Sequence, residues 1–153
     1  MRKRSSYKPR RVIANTMEWV KASVSFVSSN PSATTLKIKN YDALEALRLG
    51  KATRHDMDVL VNVVNMAEAF AMCDKKFADD FYQLISDAQF ALLEVCNRGK
   101  DRNHFVCRAS ELEAIRDVME LHDAQLDIAT IKEMEQAYKM VKTVIEQKKA
   151  VVI

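Results

Sequence analysis

Residues 54–73 read RHDMDVLVNVVNMAEAFAMC, and no other stretch says as much about the architecture. Their apolar side chains are spread nearly all round a helical wheel and are not confined to one stripe. A helix of this kind needs neighbours on several sides, because only burial removes so much apolar surface from water. We therefore predict that residues 54–73 form the central helix of a bundle.

The chain has only two glycines, Gly50 and Gly99, and two prolines, Pro9 and Pro31, among 153 residues. Hairpin turns and phosphate-binding loops both need residues that tolerate positive φ, so this composition disfavours them. Each glycine follows a helical run, which is where a helix C-terminal cap is expected. The composition predicts an all-α, single-domain bundle of five or six helices.

Several helix starts are marked by a hydroxyl residue three positions before an acid, the pattern of a capping box. The hydroxyl accepts from a first-turn amide, and the acid favours the positive helix end. Asn40 is predicted to begin a further helix over residues 41–49. Residues 111–149 can form one bent helix or two, since no Gly or Pro lies near Asp127. The three hydroxyl–acid pairs are Thr53 with Asp56, Ser110 with Glu113, and Thr130 with Glu133.

Some stretches leave the type of element open. Residues 16–27 favour a helix, although their alternation also suits an edge strand. Residues 34–39 and 104–108 are rich in β-prone side chains, and a minor two-stranded pairing between them is compatible with the pattern. A single apolar stripe predicts a helix over residues 75–98.

The first twelve residues carry six basic residues and no acid. Removing these six from the 24 Lys and Arg leaves 18 against 21 Asp and Glu, so residues 13–153 sum to about −3. We therefore divide the chain into a flexible basic arm (1–12), a helical bundle (13–149) and a C-terminal tail (150–153). Such an arm is typical of contact with nucleic-acid phosphate or an acidic protein surface. The predicted contact residues are Arg2, Lys3, Arg4, Tyr7, Lys8, Arg10 and Arg11.

No motif indicates catalysis, a metal site or a cofactor. His122 has acidic neighbours, but Glu113 is nine positions away and Asp123 points about 100° round the helix, so they do not converge on one ion. We expect His122 to be a solvated or capping residue. The three cysteines lie far apart in or beside apolar runs, which predicts small buried thiols without disulfides. We expect a protein that is not an enzyme.

Four stretches are informative together: RKRSSYKP at 2–9 with NTM at 15–17, LKIKN at 36–40, GKATRHD at 50–56, and MELHDAQLD at 119–127. Through them the chain resembles a group of small accessory proteins of tailed bacteriophages and prophages, over nearly its whole length. The resemblance implies a role in DNA metabolism or against a host defence such as a CRISPR effector, exercised by binding. It transfers no functional residues, because no site is assigned to the group.

The expected function is that of a non-enzymatic phage protein in the cytoplasm of an infected bacterial host. It would dock on a bacterial protein or ribonucleoprotein complex, as an anti-CRISPR inhibitor does. The alternative is a nonspecific nucleic-acid-binding accessory protein of phage replication or recombination. No apolar run approaches the length of a membrane span, so no membrane partner is expected. Residues 54–73 are apolar enough that a homodimer could bury part of them.

Overall fold

The computed structural model describes residues 24–26, 31–77 and 81–147. These residues form an all-α helical bundle, as the composition predicted. Within the described ranges the helices are α1 (Ser32–Arg48), α2 (Arg54–Cys73), α3 (Tyr82–Gly99), α4 (Ala109–Ile128) and α5 (Ile131–Glu146), with a 3-10 turn at Lys75–Phe77.

The second helix, α2, lies at the centre and packs against each of the other four. Nine of its twenty residues are buried. Its first turn is closed by a capping box, in which Asp56 N donates to Thr53 Oγ1 at 3.3 Å and Thr53 N donates to Asp56 Oδ2 at 2.7 Å. Both the bounds and the central position predicted for residues 54–73 are confirmed.

The core consists of two clusters, and α2 contributes to both. The larger cluster joins α1, α2, α3 and α4, with Leu60 and Phe105 among its buried members. The smaller one surrounds Phe70 and brings in Phe26 and Ala137, so it is where α5 joins the bundle. The described part of the chain therefore forms a single body organised around α2.

The first helix begins earlier than the sequence predicted. Residues 34–39, expected as a β-prone run, are helical, and Asn40 lies in the middle of α1 instead of at its start. The reason is tertiary packing, because Ala33, Asn40 and Leu47 follow one buried helical stripe. The suggested strand pairing between residues 34–39 and 104–108 is therefore wrong.

The described residues instead form two isolated bridges, Ser25 with Thr130 and Ala52 with Phe105. The second bridge fixes the loop that connects α3 to α4. The His104 carbonyl comes so close to Gly99 that a Cβ on this glycine would lie 2.6 Å from it. Gly99 is the last residue of α3 and permits this close approach, so the cap predicted there is wrong, and Lys100 follows as the C-cap. Gly50, with φ +67°, lies just after α1 and closes its end as predicted.

The sequence left open whether residues 111–149 form one bent helix or two. They form two helices, separated at Ala129 and Thr130, and Thr130 caps α5 by accepting from Glu133 N at 3.3 Å. The predicted cap at Ser110 is wrong, because α4 already begins at Ala109. Its first turn is completed by Glu111, which accepts from Arg108 N at 2.7 Å.

Candidate binding groove

Two helices flank the central one and leave a groove between them. α3 runs antiparallel to α2, since Tyr82 Oη at the start of α3 donates to the Ala71 carbonyl near the end of α2, at 3.3 Å. α5 begins beside the same end of α2, because Lys76 forms an ion pair with Glu133. Both helices therefore extend back along α2 in the same direction, on either side of it.

The groove has a volume of about 590 Å³. Its floor is the α2 surface from Val61 to Met72, one wall is α3 around Phe90, and the other is α5 from Met140 to Ile145. At 1.5 Å per helical residue the floor is about 17 Å long. The space therefore matches about three turns of a helix.

Large apolar side chains at this groove are exposed to water. Phe90 is 64% exposed, Met72 62% and Ile145 56%. α5 places Met134, Ala137, Val141 and further apolar residues on one face, yet only Ala137 is buried. Exposed apolar surface that is contiguous and concave is characteristic of interaction sites.

One acid lies among these apolar residues. Glu68 projects from α2 into the groove, close to the polar side chains of Asn65 and Gln89. Glu68 forms no ion pair with any residue that the structure describes. An occupant that carries a basic residue at this position would gain an attractive interaction in partly apolar surroundings.

The contact residues predicted from the sequence lie outside the described ranges. This holds for all seven, Arg2, Lys3, Arg4, Tyr7, Lys8, Arg10 and Arg11. It also holds for residues 16–23 and for Val27, so the choice between helix and strand is described only at Val24–Phe26. There Phe26 N donates to the Ala129 carbonyl at 2.9 Å, and Ile131 N donates to the Val24 carbonyl at 3.1 Å.

The prediction for His122 was wrong. Its side chain is buried, with only 3% exposed, and its ring centroid lies 6.1 Å from that of Phe70. Burial lowers the pKa of His122 to about 4, and the nearby charge of Lys37 acts in the same direction. A hydrogen bond with Gln125 opposes this effect only in part. The imidazole is therefore neutral at physiological pH.

His122 belongs to a buried polar layer that the sequence did not reveal. Gln125 Nε2 donates to the Ala67 carbonyl at 3.1 Å, which joins α4 to α2. Lys37 Nζ lies 2.7 Å from Asp127 Oδ1, which pairs α1 with α4, and Asn40 of α1 is buried as well. Asn40 Nδ2 and His122 Nδ1 are buried without a hydrogen-bond partner among the described residues.

The cysteines are thiols without disulfides. Cys96 is buried, while Cys73 and Cys107 are half-buried, and in all three burial raises the pKa of the thiol. Across residues 24–26, 31–77 and 81–147, His, Cys, Asp and Glu nowhere gather in a group of three that would suit a metal ion. No helix in these ranges has the length and apolar character needed to cross a membrane.

The homodimer considered from the sequence required an exposed face on residues 54–73. Most of α2 is instead covered by the chain's own helices, and the strip that stays open is the floor of the groove.

Comparison with known proteins gave no relative: no protein-family model, no curated protein and no solved structure matches the chain.

Proposed function

We propose that this protein is a phage-encoded binding protein that docks on a bacterial protein or nucleoprotein complex and inhibits a host defence such as CRISPR–Cas. The open apolar groove between α3 and α5 is the observation that carries the proposal. Burial of side chains such as Phe90, Met72 and Ile145 by a partner removes apolar area from water, which is the main driving force of association.

The partner chemistry follows from the shape of the groove. A slot about 17 Å long, with a helix as floor and a helix on each side, fits an amphipathic helix of the partner. The acid Glu68 in the floor favours a partner helix with a lysine or arginine beside its apolar stripe. The basic arm adds long-range attraction towards an acidic or phosphate-bearing surface next to that helix.

A matched pair of variants tests whether the groove is the docking surface. Ile145 lines the groove and Ile38 lies on α1, and the two side chains are 56% and 57% exposed. We expect Ile145→Asp to abolish capture of a partner from a bacterial lysate by the tagged full-length protein, because it places a charge in the apolar contact. Ile38→Asp should capture the same partner as the wild type. Equal capture by both variants would contradict docking in the groove.

The alternative, a nonspecific nucleic-acid-binding accessory protein, rests on the charge of the arm. It predicts direct binding of duplex DNA by the purified protein, with a log–log salt slope of about −5 if all six charges contact phosphate. Deletion of residues 1–12 would abolish that binding, whereas Ile145→Asp would leave it intact. This pattern, without a protein partner, would favour the alternative over the proposed function.

A further inference from the structure

We infer that two loops at one end of the bundle form a binding surface for the phosphate backbone of a nucleic-acid duplex. The loops are residues 49–53, between α1 and α2, and residues 100–108, between α3 and α4. We call them together the loop surface. The inference goes beyond the proposed function, because it depends neither on the groove nor on residues 1–12.

The two loops lie side by side, although they are far apart in the sequence. Ala52 of the first loop and Phe105 of the second form an antiparallel bridge. Paired backbones of this kind lie about 5 Å apart, and the antiparallel direction places Lys51 opposite Val106. Side chains of both loops therefore belong to one continuous surface.

Both loops are also fixed by backbone hydrogen bonds. Lys51 N donates to the Ala46 carbonyl at 2.8 Å. Arg102 N and His104 N each donate to the Gly99 carbonyl at 3.2 Å. The basic residues of the surface thus extend from an ordered backbone, which reduces the entropy that a ligand must overcome on binding.

The loop surface has an excess of positive charge. The two loops contain a single acid, Asp101, and four bases, which are Lys51, Lys100, Arg102 and Arg108. All four bases are exposed, and none forms an ion pair with a residue in the described ranges. Residues 74–81, which connect α2 to α3, contain two bases and three acids, so the excess is not common to all connections of the bundle.

The helices next to the loops add little to this charge. Arg48, at the end of α1, pairs with Glu45, and Arg98, near the end of α3, pairs with Glu111. Two helices end at the loop surface and two begin there, so their macrodipoles largely offset one another. The attraction for an anion therefore comes from the four bases of the loops.

The chemistry of the surface favours a duplex as the ligand. Lysine and arginine side chains without carboxylate partners are the groups that contact phosphate oxygens in protein–nucleic acid complexes. Phe105 supplies the one Phe, Tyr or Trp ring of the two loops, and it is only 1% exposed. An unpaired base therefore finds no such ring to stack on, whereas a duplex offers its phosphates with its bases already stacked.

Two charge-matched triple variants test the inference in the full-length protein. The surface variant combines Lys51→Gln, Lys100→Gln and Arg102→Gln. The control variant combines Lys39→Gln, Lys75→Gln and Lys139→Gln, which change exposed lysines outside the loop surface. Binding of a short labelled DNA duplex is measured by fluorescence anisotropy over a range of salt concentrations, and far-ultraviolet circular dichroism checks that each variant is folded.

We expect the wild type to bind the duplex and the surface variant to bind it more weakly. The log–log salt slope of the surface variant should be smaller in magnitude by about 2.7, since each lost phosphate contact removes about 0.9. The control variant should keep the wild-type slope, although it has lost the same charge. Residues 1–12 are present in all three proteins, so they do not contribute to the difference.

Several results would overturn the inference. One is the absence of duplex binding by the wild type, and another is an equal change of slope in the surface and control variants. If the surface variant affects binding of a single strand or of poly-glutamate more than binding of the duplex, the surface recognises unpaired bases or an acidic protein instead. Ile145→Asp should bind the duplex like the wild type, and loss of binding in this variant would assign the duplex to the groove.

Discussion

The buried imidazole of His122 makes the stability of the protein depend on pH in the acid range. Burial lowers its pKa to about 4, compared with 6.5 for a solvated histidine. Between these values the unfolded chain binds more protons than the folded one, so the free energy of unfolding decreases as the pH falls from about 6.5 to about 4. The shift corresponds to about 3 kcal/mol of stability. This contribution is fully present above pH 6.5 and is lost as the pH falls to about 4.

We expect His122→Gln to remove this part of the pH dependence. The difference in unfolding free energy between pH 7 and pH 4, measured by urea denaturation, should be smaller than in the wild type by about 3 kcal/mol. His104→Gln changes an exposed histidine of the α3–α4 loop and should keep the wild-type profile. The same profile in all three proteins would contradict the burial of a neutral imidazole.

At the scale of elements, one ion pair connects α3, α4 and the loop between them. The guanidinium of Arg98 donates to Glu111 at 2.8 and 2.5 Å, and also to the Val106 carbonyl at 3.1 Å. Glu111 in turn accepts from Arg108 N at the start of α4. The hydrogen bonds from Arg98 lower the pKa of Glu111, so the carboxylate is ionised and binds all these donors at neutral pH.

Loss of this carboxylate should destabilise the bundle. We expect Glu111→Ala to reduce the unfolding free energy by about 1–3 kcal/mol, because the Arg98 guanidinium and the Arg108 amide at the start of α4 both lose their acceptor. Glu45→Ala breaks the ion pair between Glu45 and Arg48 on the surface of α1 and should cause no measurable change. Equal urea midpoints for the two variants would show that the Arg98–Glu111 pair has no special role.

At the scale of the whole molecule, α2 belongs to both core clusters, so we expect the bundle to unfold in one step. Leu60→Ala affects the larger cluster and Phe70→Ala the smaller one, and each should cost about 2–5 kcal/mol. In both variants the loss of helix and the exposure of the Cys96 thiol should occur at the same temperature. Two separate transitions in either variant would mean that the clusters fold independently.

The sequence predicted those features that depend on neighbouring residues along the chain. The capping boxes at Thr53 and Thr130 and the cap at Gly50 are local, and their residue types suffice to recognise them. The all-round apolar character of residues 54–73 likewise placed α2 correctly. Asn40 and His122 were misjudged because their polar side chains resemble helix-end or surface residues, and only the packing of α1, α2 and α4 buries them.

The groove could not be predicted for a related reason. Hydrophobic periodicity shows that α3 and α5 each have an apolar face, but it does not show whether another element covers that face. Phe90 and Ile145 are fifty-five positions apart and meet at one groove only because both helices pack on α2. Glu68 can be recognised as a groove residue only from the packing of α3 and α5 on α2.

The two walls of the groove differ in how firmly they are anchored. α3 packs on both α2 and α4, whereas α5 packs chiefly on α2 and buries a single residue completely. The α3 wall is therefore the more rigid one and the α5 wall the more easily displaced, since fewer apolar contacts must be lost to move α5. A ligand wider than the groove would therefore displace α5 before α3, because α5 has the smaller number of packing partners.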